Sequence, residues 1–339
     1  MRKWLIAAGA AFALVLLAAG VSVSFAWRVL NSPLEIEAPQ VFLDVPSGTP
    51  LWRVSEGLAE RGLLRHPRIL TWYGRLTGDA TRIHAGEYSL APGMTPRTLL
   101  EKLVRGQVHL HQLTIVEGWR FADALRVVRA HPAIVATELD GEALMAELGK
   151  PGVHPEGQFL PDTYTFPRGT TDVELLRLAH RALERKLEDA WARRSEDVAI
   201  GTPYEALILA SIIEKETALD RERRTIAGVF MRRLKRGMRL QTDPTVIYGL
   251  GDAYDGNIRR GDLERDTPYN TYTRFGLPPT PIALAGAASI EAAVDPEEGD
   301  ALYFVATGEP DGSHYFSATL EEHNRAVSRY LERLNEARN

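Results

Sequence analysis

Leu207-Ile208-Leu209-Ala210-Ser211-Ile212-Ile213-Glu214-Lys215-Glu216-Thr217 is an apolar helical run that ends by presenting a glutamate. Upstream, Thr202-Pro203 supplies a threonine N-cap and a proline at the first helical position, so a helix starts there. At about 3.6 residues per turn, Glu214 shares its face with Leu207, Ala210, Ser211, Thr217 and Ala218. Most of these are small, which predicts open space above the carboxylate, and an acid on a buried face is costly unless it has a task. Glu216 lies about 200° around the helix and points away. The helix therefore offers one acid on that face, not a side-by-side pair. A glutamate that only pairs with basic neighbours stays open as the plainer reading of the same residues.

Working outward, the 339 residues are enough for two cores, and the formal charge of -5 argues against a protein that lives by binding nucleic-acid phosphates. There are no cysteines, which excludes disulfides and thiolate chemistry. His109 and His111 share one face of a strand, but no HExxH or carboxylate-rich calcium loop accompanies them; two solvated histidines and no metal are expected. No cofactor-binding motif is read.

Residues Trp4 to Trp27 carry no charge and are long enough to cross about 30 Å of hydrocarbon. Arg2 and Lys3 precede them, which by the positive-inside rule puts residues 1–3 in the cytoplasm and everything after Arg28 on the far side. An uncleaved single-pass anchor is favoured over a signal peptide, because the run exceeds a signal h-region and lacks a clear small-x-small site. Residues 28–40 read as a linker. Residues 41–108 follow the order strand (Val41 to Val45), helix (Leu51 to Glu60), helix (His66 to Leu76), strand (Gly86 to Leu90), then a helix from Thr95 to Val104. That order resembles a LysM-like module, a small glycan-binding domain; a generic α+β connecting domain fits it equally well.

Residues 109–339 form the larger domain, and the chain as a whole reads as α+β. A strand is expected over His109 to Val116, and helices over Phe121 to Ala130, Glu138 to Leu148, Asp172 to Arg194, Asp220 to Arg236, Ala288 to Val294 and Leu320 to Glu336. Three aperiodic stretches read as polar-aromatic loops: Glu156 to Tyr164, Leu240 to Gly249, and Thr267 to Tyr272. Such loops suit a carbohydrate. Gln158, Gln241, Thr242, Asp243, Asn270, Asp162 and Glu156 offer directional hydrogen bonds, while Tyr164, Tyr248, Tyr269 and Tyr272 offer flat faces for C-H surfaces. These are the expected substrate-binding residues, with Glu214 as the catalytic acid.

Ala210 to Thr217, Glu156 to Tyr164, Met238 to Gly249, and Tyr269 to Tyr272 with Gly276-Leu277-Pro278-Pro279 closely resemble the MltG (YceG-like) family of endolytic murein transglycosylases. The resemblance covers nearly the whole chain. It implies that the first glutamate of the Glu-Lys-Glu-Thr motif, Glu214, is the catalytic acid. The implied reaction is cleavage, without water, of the β-1,4 bond between N-acetylmuramic acid and N-acetylglucosamine. One carboxyl would give its proton to the glycosidic oxygen, then take the proton of the C6 hydroxyl as that oxygen closes a 1,6-anhydro end. Apolar burial would be needed to keep Glu214 protonated beforehand.

The resemblance further implies action at the inner membrane, with the catalytic domain periplasmic. The enzyme would end the elongation of nascent glycan strands, with membrane-bound peptidoglycan synthases as partners. Two other readings stay open. A hydrolytic muramidase would want a second carboxylate at roughly 5 to 9.5 Å, for which Asp243, Asp162 and Glu156 are the sequence candidates. The other is a non-catalytic, membrane-anchored glycan-binding scaffold.

Overall fold

Helix α1 (Arg2–Asn31) is continuous and long and apolar enough to cross a membrane, with a mean hydropathy of 2.3 over its most apolar 18-residue window and the apolar side chains of that stretch exposed. The structure, a computed structural model, describes residues 2–338. The chain is α+β and divides into two compact units.

The first unit takes in residues up to His111 together with Phe166–Arg168. Its strands β1 (Val41–Val45) and β2 (Gly86–Leu90) pair antiparallel, Val41 opposite Leu90 and Val45 opposite Gly86. Helices α2 (Leu51–Glu60), α3 (Pro67–Thr77) and α4 (Pro96–Val104) close one core with them around Leu58, Leu70, Tyr88, Leu90, Leu99 and Leu103. The expected strand-helix-helix-strand order is present. Leu30 at the end of α1, with Leu34 and Ile36 beyond it, is buried in the same core. Glu87 in β2 accepts from Arg168 Nε at 2.7 Å and meets His111 Nε2 at 2.7 Å. Burial pushes its carboxyl up, but these two partners outweigh that and hold it below the ordinary carboxylate value. The two histidines expected to be solvated are thus half-buried, and His111 is engaged by a carboxylate.

The second unit comprises residues 112–165 and 169–339. Strand β3 (Leu110–Thr114) leads through Val116 to Trp119 into helix α5 (Phe121–Ala130). Strand β4 (Ile134–Val135) and helix α6 (Gly141–Glu147) follow, then strands β5 (Thr163–Pro167) and β6 (Thr170–Thr171); β3 pairs with β5, and β4 pairs parallel with β6. Next come α7 (Asp172–Ala192), α8 (Pro203–Glu216), α9 (Asp220–Lys235), α10 (Asp243–Leu250), α11 (Arg260–Glu264) and α12 (Ala287–Val294). The antiparallel hairpin of β7 (Tyr303–Ala306) and β8 (His314–Ser317) and helix α13 (Leu320–Arg338) complete it.

The α8 helix begins where the sequence says it should: Thr202 Oγ1 accepts from Glu205 N at 3.2 Å, Thr202 N donates in return to Glu205 Oε2, and Pro203 takes the first position. Every residue from Ala206 to Ile213 is buried. A helix apolar on all sides must be surrounded, and α8 is packed by α12, α9, α7 and α10. Its position at the centre of the core sets where Glu214, in the last turn, emerges.

One stretch read as a loop is helical. Asp243 to Leu250 forms α10, because Asp243-Pro244 sits in a first turn, where an acid suits the dipole and proline's missing N–H costs nothing. The Glu156 to Tyr164 stretch ends as the start of β5.

Candidate active site

The Glu214 carboxylate is almost fully buried, and its Oε2 accepts three hydrogen bonds: from Gly286 N at 2.9 Å, Ser289 Oγ at 2.8 Å and Arg223 Nη1 at 2.9 Å. Arg223, on α9, is itself buried, donates to Ser289 Oγ as well, and reaches Asp220 Oδ1 through Nε at 3.1 Å. Gly286 is the N-cap and Ser289 the third residue of α12, so the carboxylate lies at the positive end of that helix. A glutamate in the last turn of α8 opposes the α8 dipole; the α12 terminus and the guanidinium offset this.

The small residues beside Glu214 do not leave open space. Ser211 Oγ accepts from Ile282 N at 3.0 Å, and the buried stretch Ile282 to Ala285 lies against α8. Small side chains here admit a neighbouring backbone. The Glu156 loop is tied to this stretch too: Gly157 has φ +77 and lies so close to Pro281 that a Cβ there would collide with the ring.

A second carboxylate stands at this site, and it is none of the three candidates read from sequence. Glu117, in the turn after β3, has Oε2 3.9 Å from Arg223 Nη2. Its carboxyl occupies the place where a Cβ on residue 286 would stand, so any larger residue there would displace the Glu117 side chain. Burial, then the negative charge of Glu214, push the Glu117 carboxyl above its ordinary value against the pull of Arg223. The turn is pinned from both sides: Gly118 N donates to Leu284 O, Leu284 N to Trp119 O, each at 2.8 Å, and Lys215 Nζ to Gly118 O at 3.2 Å. Sequence reading passed over Glu117 because its only local signal is an acid followed by glycine at a strand end, which any turn shares.

Gln241, Thr242, Asp243 and Tyr272 are brought together, but around Glu216. With Arg233 they line a cavity of about 460 Å³ under the β7–β8 hairpin and α13. Thr242 Oγ1 donates to Glu216 Oε1, and Tyr272 Oη to Asp243 Oδ1 at 2.6 Å. Burial pushes the Glu216 carboxyl up to about 7. Gln241 holds φ +52, the one non-glycine in the left-handed region among the described residues.

The other expected binding residues are engaged within the protein. Glu156 is buried, accepting from Phe121 N at 2.9 Å and Tyr248 Oη at 3.1 Å. Tyr248 packs edge-on to Tyr269 with ring centroids 4.8 Å apart, under the Arg120 guanidinium. Tyr269 Oη bonds Thr280 Oγ1 at 2.9 Å. Asn270 Nδ2 donates to the carbonyls of Asp262, Leu263 and Arg265 and pins the α11 segment. Tyr164 Oη donates to Leu160 O at 2.6 Å; Asp162 is exposed and accepts from its neighbour Thr163 N. Gln158 is buried with Nε2 unpartnered.

A buried acid held at a helix terminus, with a second carboxylate and a polar cavity in the same unit, defines an α+β protein with an acid-bearing site. The chain belongs to the YceG-like family, whose sequence profile matches residues 43–329. It is 32% identical over 329 residues to the endolytic murein transglycosylase of Bacillus subtilis (strain 168), covering 91% of this chain and 90% of that protein. The endolytic murein transglycosylase of Streptococcus pneumoniae serotype 2 is 28% identical over 94% of this chain, which spans 64% of its length. A YceG-like protein of known crystal structure from Listeria monocytogenes is 31% identical, superposes with a TM-score of 0.54, and matches over 85% of this chain and 98% of its own.

Proposed function

We propose that this protein is a lytic transglycosylase that cuts peptidoglycan glycan strands internally, at the β-1,4 bond between N-acetylmuramic acid and N-acetylglucosamine, leaving a 1,6-anhydro end. Glu214 gives its proton to the glycosidic oxygen. The observation that carries this is the convergence of Gly286 N, Ser289 Oγ and Arg223 on one oxygen of Glu214: these donors stabilise the anion left once the proton has gone. The names of the relatives support the substrate class. The polar cavity of Gln241, Thr242, Asp243 and Tyr272 suits sugar hydroxyls and acetamido groups. Helix α1 supports a single-pass anchor that keeps the site outside the inner membrane, where it would terminate strands emerging from membrane-bound synthases.

Full-length protein in detergent, incubated with uncrosslinked glycan strands, should release anhydro-terminated fragments lighter by one water than reducing-end products. Reducing ends would make it a muramidase, and no cleavage a glycan-binding scaffold. Glu214→Gln should remove the activity while the protein stays folded.

A second reading has one observation in its favour. Glu216 holds its proton up to about pH 7 and lines the cavity with four of the expected sugar-binding residues, so it is placed to be the acid instead. Cleavage by Glu214→Gln and none by Glu216→Gln would select it.

A further inference from the structure

We infer that Glu87, His109 and His111 form a binding site for a divalent transition-metal ion, zinc by its donor set. One carboxylate oxygen and one ring nitrogen of each histidine lie within 4.8 Å of one another. Two imidazoles and a carboxylate are donors that zinc takes up, with water completing the tetrahedron, whereas magnesium and calcium want oxygen alone. The three residues lie wholly within the first unit, so the site stands or falls independently of the reading of Glu214.

His109 and His111 are two residues apart on extended chain, which puts both rings on one face, and they meet edge-on with centroids 4.8 Å apart. His109 N donates to Glu87 O at 2.6 Å, so the backbone carrying the first ring is bonded to the backbone carrying the carboxylate. Glu87 is buried, and Arg168 Nε holds its Oε1 at 2.7 Å, which leaves Oε2 turned to His111 Nε2 at 2.7 Å. Metal-binding carboxylates are oriented in this way, by an outer partner on one oxygen while the other faces the ion. Among the described residues the His109 ring makes aromatic contacts, with Phe42 at 4.8 Å and with His111, and no hydrogen bond. Its nitrogens are thus available to an ion. No local motif announces the site, because its carboxylate comes from another strand.

With bonds of about 2.0–2.1 Å, tetrahedral zinc needs its ligand atoms about 3.3 Å apart. The Glu87–His111 pair has to open by about half an ångström and the widest pair to close by up to about 1.5 Å, which rotation of the His109 side chain supplies with the backbone in place. The ion takes the place of the hydrogen between Glu87 Oε2 and His111 Nε2, and that proton passes to solvent. Bound there, zinc ties β2 to the start of β3.

Untagged full-length protein in detergent, stripped with a chelator and titrated with zinc chloride against a chromophoric competitor, should bind one ion per chain with a Kd of about 10 µM or tighter. His109→Ala leaves the contacts among Glu87, His111 and Arg168 in place and should weaken zinc by about tenfold or more. Zinc should raise the melting temperature of the parent and leave that of His109→Ala unmoved. Cobalt(II) gives a readout of geometry: the parent should show the intense visible bands of a four-coordinate ion, and His109→Ala should lose them. A parent Kd weaker than about 10 µM, or a loss of less than about tenfold in His109→Ala, overturns the proposal. Magnesium or calcium bound in preference to zinc overturns it too.

Discussion

Arg223 Nη1 lies 2.9 Å from Glu214 Oε2, and both side chains are buried. The pair ties the last turn of α8 to α9 and, through Ser289, to the start of α12. Charges taken out of water in this way stay stable only while each keeps its partner.

Arg223→Leu should therefore cost about 3–5 kcal/mol of stability in urea titrations, since it leaves the carboxylate without its counter-charge. Glu214→Gln should cost only about 1 kcal/mol, because Arg223 keeps Asp220 and Glu117 as counter-charges and the amide oxygen can still accept from Gly286 and Ser289. A loss of no more than about 1 kcal/mol in Arg223→Leu would show that the ion pair does not hold these helices together.

Glu216 predicts a pH dependence of stability. Its carboxyl is raised from 4.5 to about 7, so the folded protein holds this proton more tightly than the unfolded chain. The contribution is full below about 4.5, declines as pH rises, and is gone above about 7; it amounts to roughly 3 kcal/mol. Glu216→Gln should flatten that part of the curve and be more stable than the parent at pH about 8. Parallel melting-temperature profiles for the two proteins would refute it.

Gln241 sits at φ +52, a conformation that costs a non-glycine residue about 1–2 kcal/mol. Strain of this kind is kept where a side chain is needed in one place, here on the cavity wall. Gln241→Gly should raise stability by up to about 1 kcal/mol and at the same time raise KM for glycan strands. A more stable protein with unchanged KM would take Gln241 out of substrate binding.

The α1 helix predicts where the chain can be cut. Residues 4–25 are exposed and carry no charge, while Leu30, Leu34 and Ile36 are buried in the core of the first unit. Removing residues 1–26 should give a folded protein in the soluble fraction. Extending the deletion through Ile36 should cost several kcal/mol, about 1.5–3 for each buried side chain lost, measured by denaturant titration.

Much of this was legible in the chain. The helix starts at Pro203 and Pro96 were readable because each threonine N-cap bonds locally and each proline fills a position with no hydrogen bond to lose. The strand-helix-helix-strand order of residues 41–90 was readable from periodicity, and the α1 helix from hydropathy alone. Asp243-Pro244 was misread, because a turn and a helix start use the same two residues and only the burial of Thr245 and Val246 and the packing of Tyr248 on the core tell them apart.

Sequence by itself determined that Glu214 ends a buried helix and that Glu216 faces elsewhere, since both follow from helix pitch. Only the tertiary structure decided what each carboxyl meets. Chain segments remote in sequence bring Gly286, Ser289 and Arg223 to Glu214, set Glu117 over Gly286, and close Thr242 and Asp243 around Glu216. Those contacts are made across the core, where long-range packing and not local propensity fixes the distances, so no pattern along the chain records them.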